Sequence, residues 1–367
     1  MRPSSMAKRL LIDVSHPAHV LVFRALAQEA AARGDVVLVA GRTKDVACEL
    51  LKTAGIPFVV VSDPAPHRSR LTDAAELIQR VIRLRRLIHD MKPDVLITRN
   101  PAGVIAGMWT RTWTIFDTDD GRAVGLHYWL AAPLADVVTS SIHDPESHGA
   151  RHLRYRALKA HAFLHPERRH TTVTDSPSLD LGTTPLTVIR WSRHDASHDG
   201  RVRGVRRPDR ERVRAMLQEH GHVLLSSEGE PLLLLRQDGS DAQVPPSRFH
   251  ELLSRASLCV TDGQAVSAEA ALLGVPTLRL SSFSGRVWYL DYLEALGLVR
   301  NFRPGEEAAL LAAIHTSLRD VGLQVQARAT ASQLNGQADD LTAWWVRLIG
   351  GLPPQRRYRR LRATPPD

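Results

Sequence analysis

Short apolar segments of strand length alternate with helix-length segments through the first half of this chain. The strand-like runs are LLIDV (10–14), VVLVA (36–40), FVVV (58–61), DVLIT (94–98), TIF (114–116) and DVVTS (136–140). Between them, apolar residues recur at helical spacing, as Leu77, Val81, Leu84 and Ile88 do. Continuously apolar strands separated by helices are typical of a parallel sheet that is covered on both faces.

A second series of the same kind follows an aperiodic stretch, 165–185, that is rich in Thr, Ser and Pro. Its strand-like runs are LTVIRW (186–191), HVLLS (222–226), LCVT (258–261) and PTLRL (276–280), with helices near 208–219, 248–255, 265–273, 287–296, 306–319, 323–333 and 339–349. Two such series predict an α/β fold of two Rossmann-like domains with parallel sheets facing a cleft, where the carboxyl ends of the strands gather.

The length of 367 residues suits two domains of roughly 150–200 residues, each with its own core. We predict an N-terminal domain over 1–165 and a linker over 166–185. A C-terminal domain follows over 186–337. A closing helix over 338–350, which carries Trp344 and Trp345, is expected to pack back across the domain junction, and 351–367 is predicted to be a basic disordered tail.

The net charge of +9 raises the question of an anionic partner. The basic residues cluster on a helix at Arg80–Arg86, in a loop at 201–212 and in the tail segment QRRYRRLR (355–362). Charge runs are usually solvated faces, although attraction to an anionic membrane surface or to phosphorylated substrates stays open. We do not expect a nucleic-acid partner, because none of the 19 aromatic residues lies in a basic strand where bases could stack.

The two cysteines, Cys48 and Cys259, are too few and too far apart for a disulfide framework, a CxxC pair or a zinc knuckle. They fit a reducing cytoplasm, and a peripheral position at the inner face of the membrane is left open. No uncharged apolar stretch of 18 residues is present, so we expect no membrane span. Motifs of the GxSxG, GxGxxG, Walker A and HExxH types are also missing, which disfavours serine hydrolases, dinucleotide oxidoreductases and P-loop kinases.

The first candidate site follows the first strand, in the segment SHPAH (15–19). His16 and His19 lie where a strand ends and a helix begins, and the positive end of a helix favours a neutral imidazole. Such an imidazole can act as an acid, as a base or as a hydrogen-bond donor to a phosphate. The alternative is that both histidines only cap and pack the turn.

The second candidate site follows the strand LCVT. Asp262 and Gly263 allow a tight turn that leaves backbone N–H groups free for a phosphate, and Gln264 opens the next helix. Glu269 points back toward the same end of the helix, within reach of a ribose diol. A junction with one glycine is common in Rossmann-like domains, so this signal is weak by itself.

Three carboxylates, Asp117, Asp119 and Asp120, follow the strand TIF. They could hold Mg²⁺ against a diphosphate, one of them could be a general base, or they could form a solvated loop with a helix cap. The loop His194–Asp199 resembles a metal site, but its two histidines lie in a Gly- and Arg-rich loop with no third partner implied, so we predict no metal.

Several segments together resemble a family of MurG-like proteins of unestablished function that is related to GT-B glycosyltransferases. The segments, which cover about residues 9 to 302, are DVSHPAHVLVF, PLADVVTSS, RYRALKAHAFLHP, VIRWSRHDASHD, HVLLSSE, TDGQAVSAEAALLGVPTLRLSSFSGR and YLEALGLVRNF. The resemblance implies the GT-B fold and a glycosyltransferase that takes a sugar from a nucleoside-diphosphate donor, with uridine as the expected nucleoside. The transferred group is expected to be a hexosyl or N-acetylhexosaminyl unit.

The resemblance also implies roles for residues of the second domain. TDGQAVSAEAALLGVP is similar to the nucleotide-sugar site of MurG and of the non-hydrolysing UDP-N-acetylglucosamine 2-epimerases. By that match Gly263 and Gln264 face the diphosphate and Glu269 faces the ribose, with Asp262 beside them. Arg190, Ser227 and Glu228, at the ends of neighbouring strands, are expected to line the same site.

The acceptor is expected on the first domain, and a cell-envelope glycan, a glycolipid and a secondary metabolite are the acceptor classes considered. SHPAHV takes the place of the Gly-rich loop of MurG-type enzymes, with His19 matched and the glycines missing. His19 or Asp119 would take the proton of the acceptor hydroxyl, with His16 in support. The other acceptor-side residues are Asp117, Asp120, Arg154, Tyr155 and Lys159. The last three match the family's RYxGYKE-like segment, in which Ala157 and Ala160 depart from the pattern.

Two alternatives to a glycosyltransferase remain. One is a nucleotide-sugar epimerase or hydrolase of the UDP-N-acetylglucosamine 2-epimerase type, although the place of the epimerase HRxEN motif reads IRWSRHDASHD (189–199). The other is a non-catalytic nucleotide-sugar-binding protein. In each case the nucleotide sugar is a substrate or ligand, no tightly bound cofactor is expected, and the oligomeric state is left open.

Overall fold

The structure is a computed structural model that describes residues 7–42, 51–52, 54–62, 70–169, 179–192 and 204–353. The chain folds into two compact units. The first unit comprises the described residues up to 163 together with those from 338 onward, and the second comprises those within 164–337.

A seven-stranded sheet forms the centre of the first unit. Its strands are β1 (Arg9–Asp13), β2 (Val36–Arg42), β3 (Phe58–Ser62), β4 (Val95–Thr98), β5 (Trp113–Asp117), β6 (Val137–Ser141) and β7 (His152–Tyr155). They lie in the order β3-β2-β1-β4-β5-β6-β7, and every neighbouring pair is parallel. The strand order reverses between β1 and β4, and in open α/β sheets ligands bind at such a switch point.

A second seven-stranded sheet forms the centre of the second unit. Its strands are β8 (Leu186–Trp191), β9 (His222–Ser227), β10 (Leu232–Leu235), β11 (Ala242–Val244), β12 (Leu258–Thr261), β13 (Thr277–Leu280) and β14 (Val299–Phe302). The order is β11-β10-β9-β8-β12-β13-β14. β10 is antiparallel to both of its neighbours, and the other pairs are parallel. The switch point of this sheet lies between β8 and β12.

Helices cover these sheets. In chain order they are α1 (Pro17–Ala32), α2 (Arg70–Met91), α3 (Pro101–Gly107), α4 (Leu126–Trp129), α5 (His161–Leu164), α6 (Pro166–Arg169), α7 (Arg207–His220), α8 (Phe249–Arg255), α9 (Gln264–Leu272), α10 (Trp288–Ala295), α11 (Glu307–Arg319), α12 (Val321–Gln337) and α13 (Leu341–Gly351). Two short 3₁₀ helices lie at Gly121–Val124 and Pro246–Arg248. No helix among the described residues is long and apolar enough to span a bilayer.

Both faces of the second sheet are covered by apolar side chains. Along β8, Val188 contributes to one core cluster and Ile189 to the other. The same alternation holds for Cys259 and Val260 of β12. Because successive strand residues point to opposite faces, a strand buried on both faces must be apolar throughout, as LCVT nearly is.

The last described helix, α13, belongs to the first unit. Trp345 is fully buried, with its ring 5.1 Å from the Phe23 ring of α1. The Thr342 hydroxyl donates to the carbonyl of Ala162 at 2.9 Å. Lys8 donates to the carbonyls of Ile349 and Leu352, which satisfies the free backbone acceptors at the end of the helix.

Most predicted strands are present with bounds shifted by one or two residues, and LTVIRW and LCVT have the predicted bounds. The strands β7, β10, β11 and β14 and the short helices α3 to α6 were not predicted from the sequence. The helix predicted near 208–219 is confirmed as α7, so of the basic stretch 201–212 the residues from Arg207 onward are helical and not part of a loop. The loop His194–Asp199, residues 170–178 of the linker and the basic segment 355–362 lie outside the described residues.

Arg80 is a further correction, because it does not lie on a solvated face. Its side chain is 3% exposed and pairs with Asp13, whose side chain has no exposure. The same guanidinium donates to Ser62 Oγ at 2.8 Å and to the carbonyl of Val14 at 2.9 Å. A basic run on a helix therefore contains one buried structural arginine.

Candidate functional site

Polar side chains connect the carboxyl ends of β1 and β4 at the first switch point. The Asp13 carboxylate accepts a hydrogen bond from the Thr98 hydroxyl at 2.7 Å, and the Asn100 amide donates to Ser15 Oγ at 3.3 Å. A Cβ on Gly103 would lie 2.8 Å from Thr98 Oγ1 and 2.9 Å from Asp13 Oδ2. Only glycine therefore lets α3 approach this junction so closely.

His16 and His19 occupy the start of α1, as predicted from the SHPAH segment. His16 is the N-cap, and its Nδ1 accepts the N–H of Ala18 at 3.2 Å. His19 is the third residue of the helix, with Nδ1 3.5 Å from Ser15 Oγ and its ring 6.0 Å from the His16 ring. His16 is thus used in capping, whereas the described residues give His19 Nε2 no hydrogen-bond partner.

The charge state of His19 follows from its surroundings. Burial lowers its pKa well below the usual value of 6.5, and nearby cations, first among them Arg99, lower the pKa further. The positive end of the α1 dipole acts in the same direction. His19 is therefore neutral at pH 7 and able to accept a proton.

Asp117 and Asp119, at the end of β5, belong to a buried ion-pair cluster. Arg99, which follows β4, contacts both carboxylates. Lys159 Nζ lies 2.6 Å from Asp119 Oδ2. Both oxygens of Asp119 therefore face a cation already, so Mg²⁺ at this position would have to displace Arg99 and Lys159.

Tyr155 extends this cluster into the core. Its hydroxyl donates to Asp117 Oδ1 at 3.1 Å, and the Thr139 hydroxyl donates to the same oxygen at 2.8 Å. Burial raises the pKa of Asp117 against the opposing effect of Arg99. Burial and the neighbouring Asp117 carboxylate also raise the pKa of Tyr155 well above 10. Tyr155 is only 1% exposed, so it contacts the cluster from the protein core.

Two predicted acceptor-side residues lie apart from this cluster. Arg154 is exposed, and because strand residues alternate it lies on the opposite face of β7 from Tyr155. Its guanidinium donates to the carbonyl of Glu146 at 2.7 Å. Asp120 begins the 3₁₀ helix at Gly121–Val124 and forms no ion pair within the described part of the chain.

A second buried polar network lies beyond β6. His148 contacts Asp144 Oδ2 through Nε2 at 2.9 Å and the Tyr128 hydroxyl through Nδ1 at 2.8 Å. The His152 ring lies 4.6 Å from the His148 ring, and its Nε2 is 2.7 Å from Ser140 Oγ. Desolvation, with a smaller effect of His148, lowers the pKa of His152 to about 4. Motif reasoning did not identify this network.

In the second unit, Asp262 joins β12 to β8 at the switch point. Its Oδ1 accepts the backbone N–H of Ser192 at 2.7 Å, and its Oδ2 accepts from Arg210 at 3.0 Å. The Arg210 guanidinium also lies over the Trp191 ring, 5.2 Å from its centroid. Asp262 is buried, so it positions the two strand ends.

The N-terminus of α9 adjoins Asp262 and has no side-chain cap. Gly263, the N-cap residue, has φ −82° and ψ 143°, which any residue adopts. Its own N–H donates to Thr261 Oγ1 at 3.0 Å, so this N–H is not among the backbone groups left for a phosphate. The N–H groups of the first turn, from Gln264 onward, remain available for an anion. Gln264 Oε1 accepts from the Tyr289 hydroxyl at 3.3 Å.

Glu269 lies on the same helix and is 6% exposed. Its Oε2 is 3.0 Å from Nε2 of His250, which comes from α8. The His250 side chain is 25% exposed, so the pair lies at the edge of the core. Sequence reasoning identified Glu269 but not His250.

The remaining predicted residues of this site end β8 and β9. Arg190 donates to Ser226 Oγ at 2.9 Å, and Trp191 is in register with Ser227. Glu228 is exposed, and its N–H donates to the carbonyl of Trp191 at 3.1 Å. The structure thus places these three predicted residues at neighbouring strand ends.

Arg279 of β13 is a buried cation that the sequence analysis missed. Its Nη1 donates to Asn301 Oδ1 at 3.1 Å and lies 3.3 Å from Ser284 Oγ, while Nε and Nη2 have no partner among the described residues. Burial lowers its pKa. An arginine inside an apolar strand gives no sequence signal that distinguishes a site residue from a structural one.

No protein-family model matches the chain. No curated protein matches it by sequence either. Solved structures do match. A Listeria monocytogenes protein assigned as a UDP-N-acetylglucosamine 2-epimerase has a TM-score of 0.65 at 14% identity, covering 93% of this chain and 95% of its own.

Two further structures have similar scores. The S. aureus protein MnaA, solved with UDP, has a TM-score of 0.67 at 13% identity and covers 94% of this chain and 99% of its own. The glycosyltransferase SnogD from Streptomyces nogalater has a TM-score of 0.62 at 15% identity, covering 94% of this chain and 100% of its own. The predicted fold class is confirmed: the chain has the α/β fold, with two mostly parallel seven-stranded sheets, that GT-B glycosyltransferases have.

Proposed function

We propose that this protein is a glycosyltransferase that moves a sugar from a nucleoside-diphosphate donor to an acceptor hydroxyl. The observation that carries the proposal is the uncapped N-terminus of α9 at the switch point of the second sheet, with Glu269 on the same helix. A helix N-terminus favours a diphosphate, and a carboxylate accepts hydrogen bonds from a ribose diol. The glycosyltransferase SnogD and the protein MnaA, solved with UDP, share the fold.

The donor would bind to the second unit. The first-turn N–H groups of α9 would hold the diphosphate, and Arg190 would supply a positive side chain at the neighbouring strand end. Glu269 would accept from the ribose. Asp262 would act indirectly, because its carboxylate is committed to Ser192 and Arg210.

The acceptor would bind to the first unit, with His19 as the base. His19 is neutral at pH 7 and Nε2 has no partner in the described part of the chain, whereas both oxygens of Asp119 face cations. As the acceptor oxygen bonds to the anomeric carbon, the bond from that carbon to the diphosphate oxygen breaks. The acceptor proton passes to His19 Nε2, and the nucleoside diphosphate leaves with the electron pair.

Finer features are part of the same proposal. We expect a uridine donor and transfer of a hexosyl or N-acetylhexosaminyl group, as the resemblance to MurG-like proteins implies. We place the enzyme in the cytoplasm, with a glycolipid, an envelope glycan or a secondary metabolite as its acceptor. The basic segment 355–362, outside the described residues, would attract an anionic membrane surface.

Thermal unfolding with UDP, UDP-sugars, GDP-sugars, dTDP-sugars and NAD(H) tests the donor site. A ligand at a free concentration of about 100 times its Kd stabilises the protein by about 2.7 kcal/mol, which raises Tm by several degrees. We expect a uridine-specific rise that Glu269→Ala abolishes and that Glu211→Ala, at an exposed glutamate of α7, retains. The absence of any nucleotide-induced rise in the wild type would overturn the proposal.

A second candidate is a nucleotide-sugar epimerase, because the Listeria protein with the same fold is assigned that activity. The two functions differ in their need for an acceptor. Incubation with UDP-N-acetylglucosamine alone, followed by proton NMR, would reveal an epimer or free sugar if the second candidate is right. We expect neither product. A screen of acceptors should instead release UDP, and His19→Gln should abolish the release while the UDP-induced rise in Tm is retained.

A further inference from the structure

The Glu269 carboxylate has two oxygens in different situations. Oε2 contacts His250 Nε2 at 3.0 Å, whereas the described residues provide Oε1 with no donor. A buried carboxylate is costly unless it is hydrogen-bonded, and His250 supplies that bond from a neighbouring helix. The contact fixes one oxygen and with it the direction of the other.

The Glu269 carboxylate lies near the start of α9. It lies five residues after Gln264, which corresponds to about 7.5 Å along the helix axis at 1.5 Å per residue. Helical side chains lean toward the N-terminus, so the carboxylate is displaced back toward the first turn. One small ligand can thus place an anionic group at the first turn of α9 and a hydroxyl group against the Glu269 carboxylate.

We infer that His250 is a positioning residue that makes this protein selective for ribonucleotides over deoxyribonucleotides. His250 holds Oε2 of Glu269, so that Oε1 is oriented to accept a hydrogen bond from a ribose hydroxyl. The inference rests on the proposed function, since it concerns how the donor site recognises the sugar of the nucleotide. It adds the partner residue and the selectivity, which the donor-site proposal does not specify.

The chemistry gives the direction of the selectivity. A site with a fixed hydrogen-bond acceptor rejects a nucleotide that lacks the matching hydroxyl. The buried carboxylate then loses that hydrogen bond and gains none from water. A freely rotating carboxylate can instead turn toward solvent, and the two nucleotides become more nearly equivalent. Selectivity should therefore depend on His250 as well as on Glu269.

Titration calorimetry of the full chain with UDP, 2′-deoxy-UDP and 3′-deoxy-UDP tests the inference. We expect the wild type to bind UDP at least about tenfold more tightly than at least one deoxy analogue, because one hydrogen bond to a charged group contributes enough binding free energy for that ratio. His250→Phe keeps a ring of similar shape without the donor and should bring the ratio close to one. His250→Gln keeps an N–H donor and should restore most of it. His315→Phe, at an exposed histidine of α11, should leave the ratio unchanged.

Each outcome has a distinct meaning. A wild type that binds UDP but does not distinguish either deoxy analogue would overturn the inference and leave the donor site standing. An unchanged ratio in a folded His250→Phe variant would also overturn it. If His250→Phe fails to fold, a normal ratio in Glu269→Gln, which replaces the carboxylate by an amide, would count against the inference. A wild type that binds no UDP would overturn the donor site itself.

Discussion

The guanidinium of Arg80 in α2 donates to the carboxylate of Asp13 at the end of β1, and both side chains are buried. The pair joins a helix to β1, an inner strand of the first sheet, directly before the segment that carries His16 and His19. Thr98 donates to the other oxygen of Asp13, so both carboxylate oxygens have a partner. The first switch point therefore depends on a buried charge pair.

Removal of Arg80 should strongly destabilise the first unit. Arg80→Met leaves the Asp13 carboxylate buried without its cation, and loss of one partner of a buried pair costs about 3–5 kcal/mol. Arg86→Met, at an exposed position of the same helix, should change stability by less than about 0.5 kcal/mol. Urea unfolding of the two variants measures both values. Equal effects would mean that the Arg80–Asp13 contact is not a significant source of stability.

The imidazole of His19 should titrate well below pH 6.5. Lys159 is one of the cations that lower its pKa, so Lys159→Met should raise the pKa, whereas Arg86→Met should not. NMR of ¹⁵N-labelled histidine follows the titration, and His19→Gln assigns the resonance. If His19 is the base, activity should remain when the pH falls to 6.5. A His19 pKa at or above 6.5 in the wild type would contradict this prediction.

Stability should fall in acid partly because of His152. Its pKa of about 4 in the folded protein lies below the usual 6.5, so between these values the unfolded chain binds a proton that the folded protein does not. The contribution is complete above pH 6.5 and is lost as the pH falls toward 4. Because the ring is partly exposed, we expect about 1–2 kcal/mol.

His152→Gln, which does not titrate, tests that contribution. Between pH 6.5 and 4 the variant should lose less stability than the wild type, as measured by urea unfolding. At pH 8 both proteins have an uncharged side chain at this position, and the difference there gives the effect of the substitution itself. Parallel stability curves across the acid range would rule out His152 as a source of acid sensitivity.

Replacement by alanine should change the stability of the protein in opposite directions at two glycines. A Cβ on Gly221 would lie 2.2 Å from the backbone carbonyl oxygen of Pro185, so Gly221→Ala should be destabilising by about 1–3 kcal/mol. Gly336, exposed near the end of α12, has no atom within 4 Å of the new Cβ. Gly336→Ala should therefore stabilise the protein by up to about 1 kcal/mol. Thermal unfolding gives the sign of each effect, and a stable Gly221→Ala protein would contradict the packing argument.

The parallel sheets could be predicted because central strands must be apolar on both faces. LTVIRW and LCVT lie at the centre of the second sheet, and their bounds were predicted correctly. β7 (HLRY) and β14 (VRNF) lie at the edges of their sheets as far as the described residues go, with a neighbouring strand on one side only, and polar residues are tolerated there. Such strands carry no apolar run, so a search for apolar segments misses them.

The location of the candidate sites could be predicted as far as the strand ends. Residues that follow parallel strands gather at one edge of the sheet, and Asp119 and Asp262 lie there, just after β5 and β12. The pairing of charges could not be predicted, because it depends on tertiary contacts between distant segments. Arg99 follows a strand as an ordinary polar residue would, and His250 lies on a helix without a motif, yet each contacts an acidic residue of the predicted sites.

The return of the chain to the first unit has a consequence for synthesis. Trp345 packs against Phe23 and Tyr155, but the ribosome makes the whole second unit before it reaches residue 345. During translation the second unit can finish folding while the first still exposes the apolar surface that Trp345 will cover. A nascent chain arrested before α13 should therefore hold a folded second unit beside a first unit that proteases still cleave. The second unit of this protein would thus mature before the first.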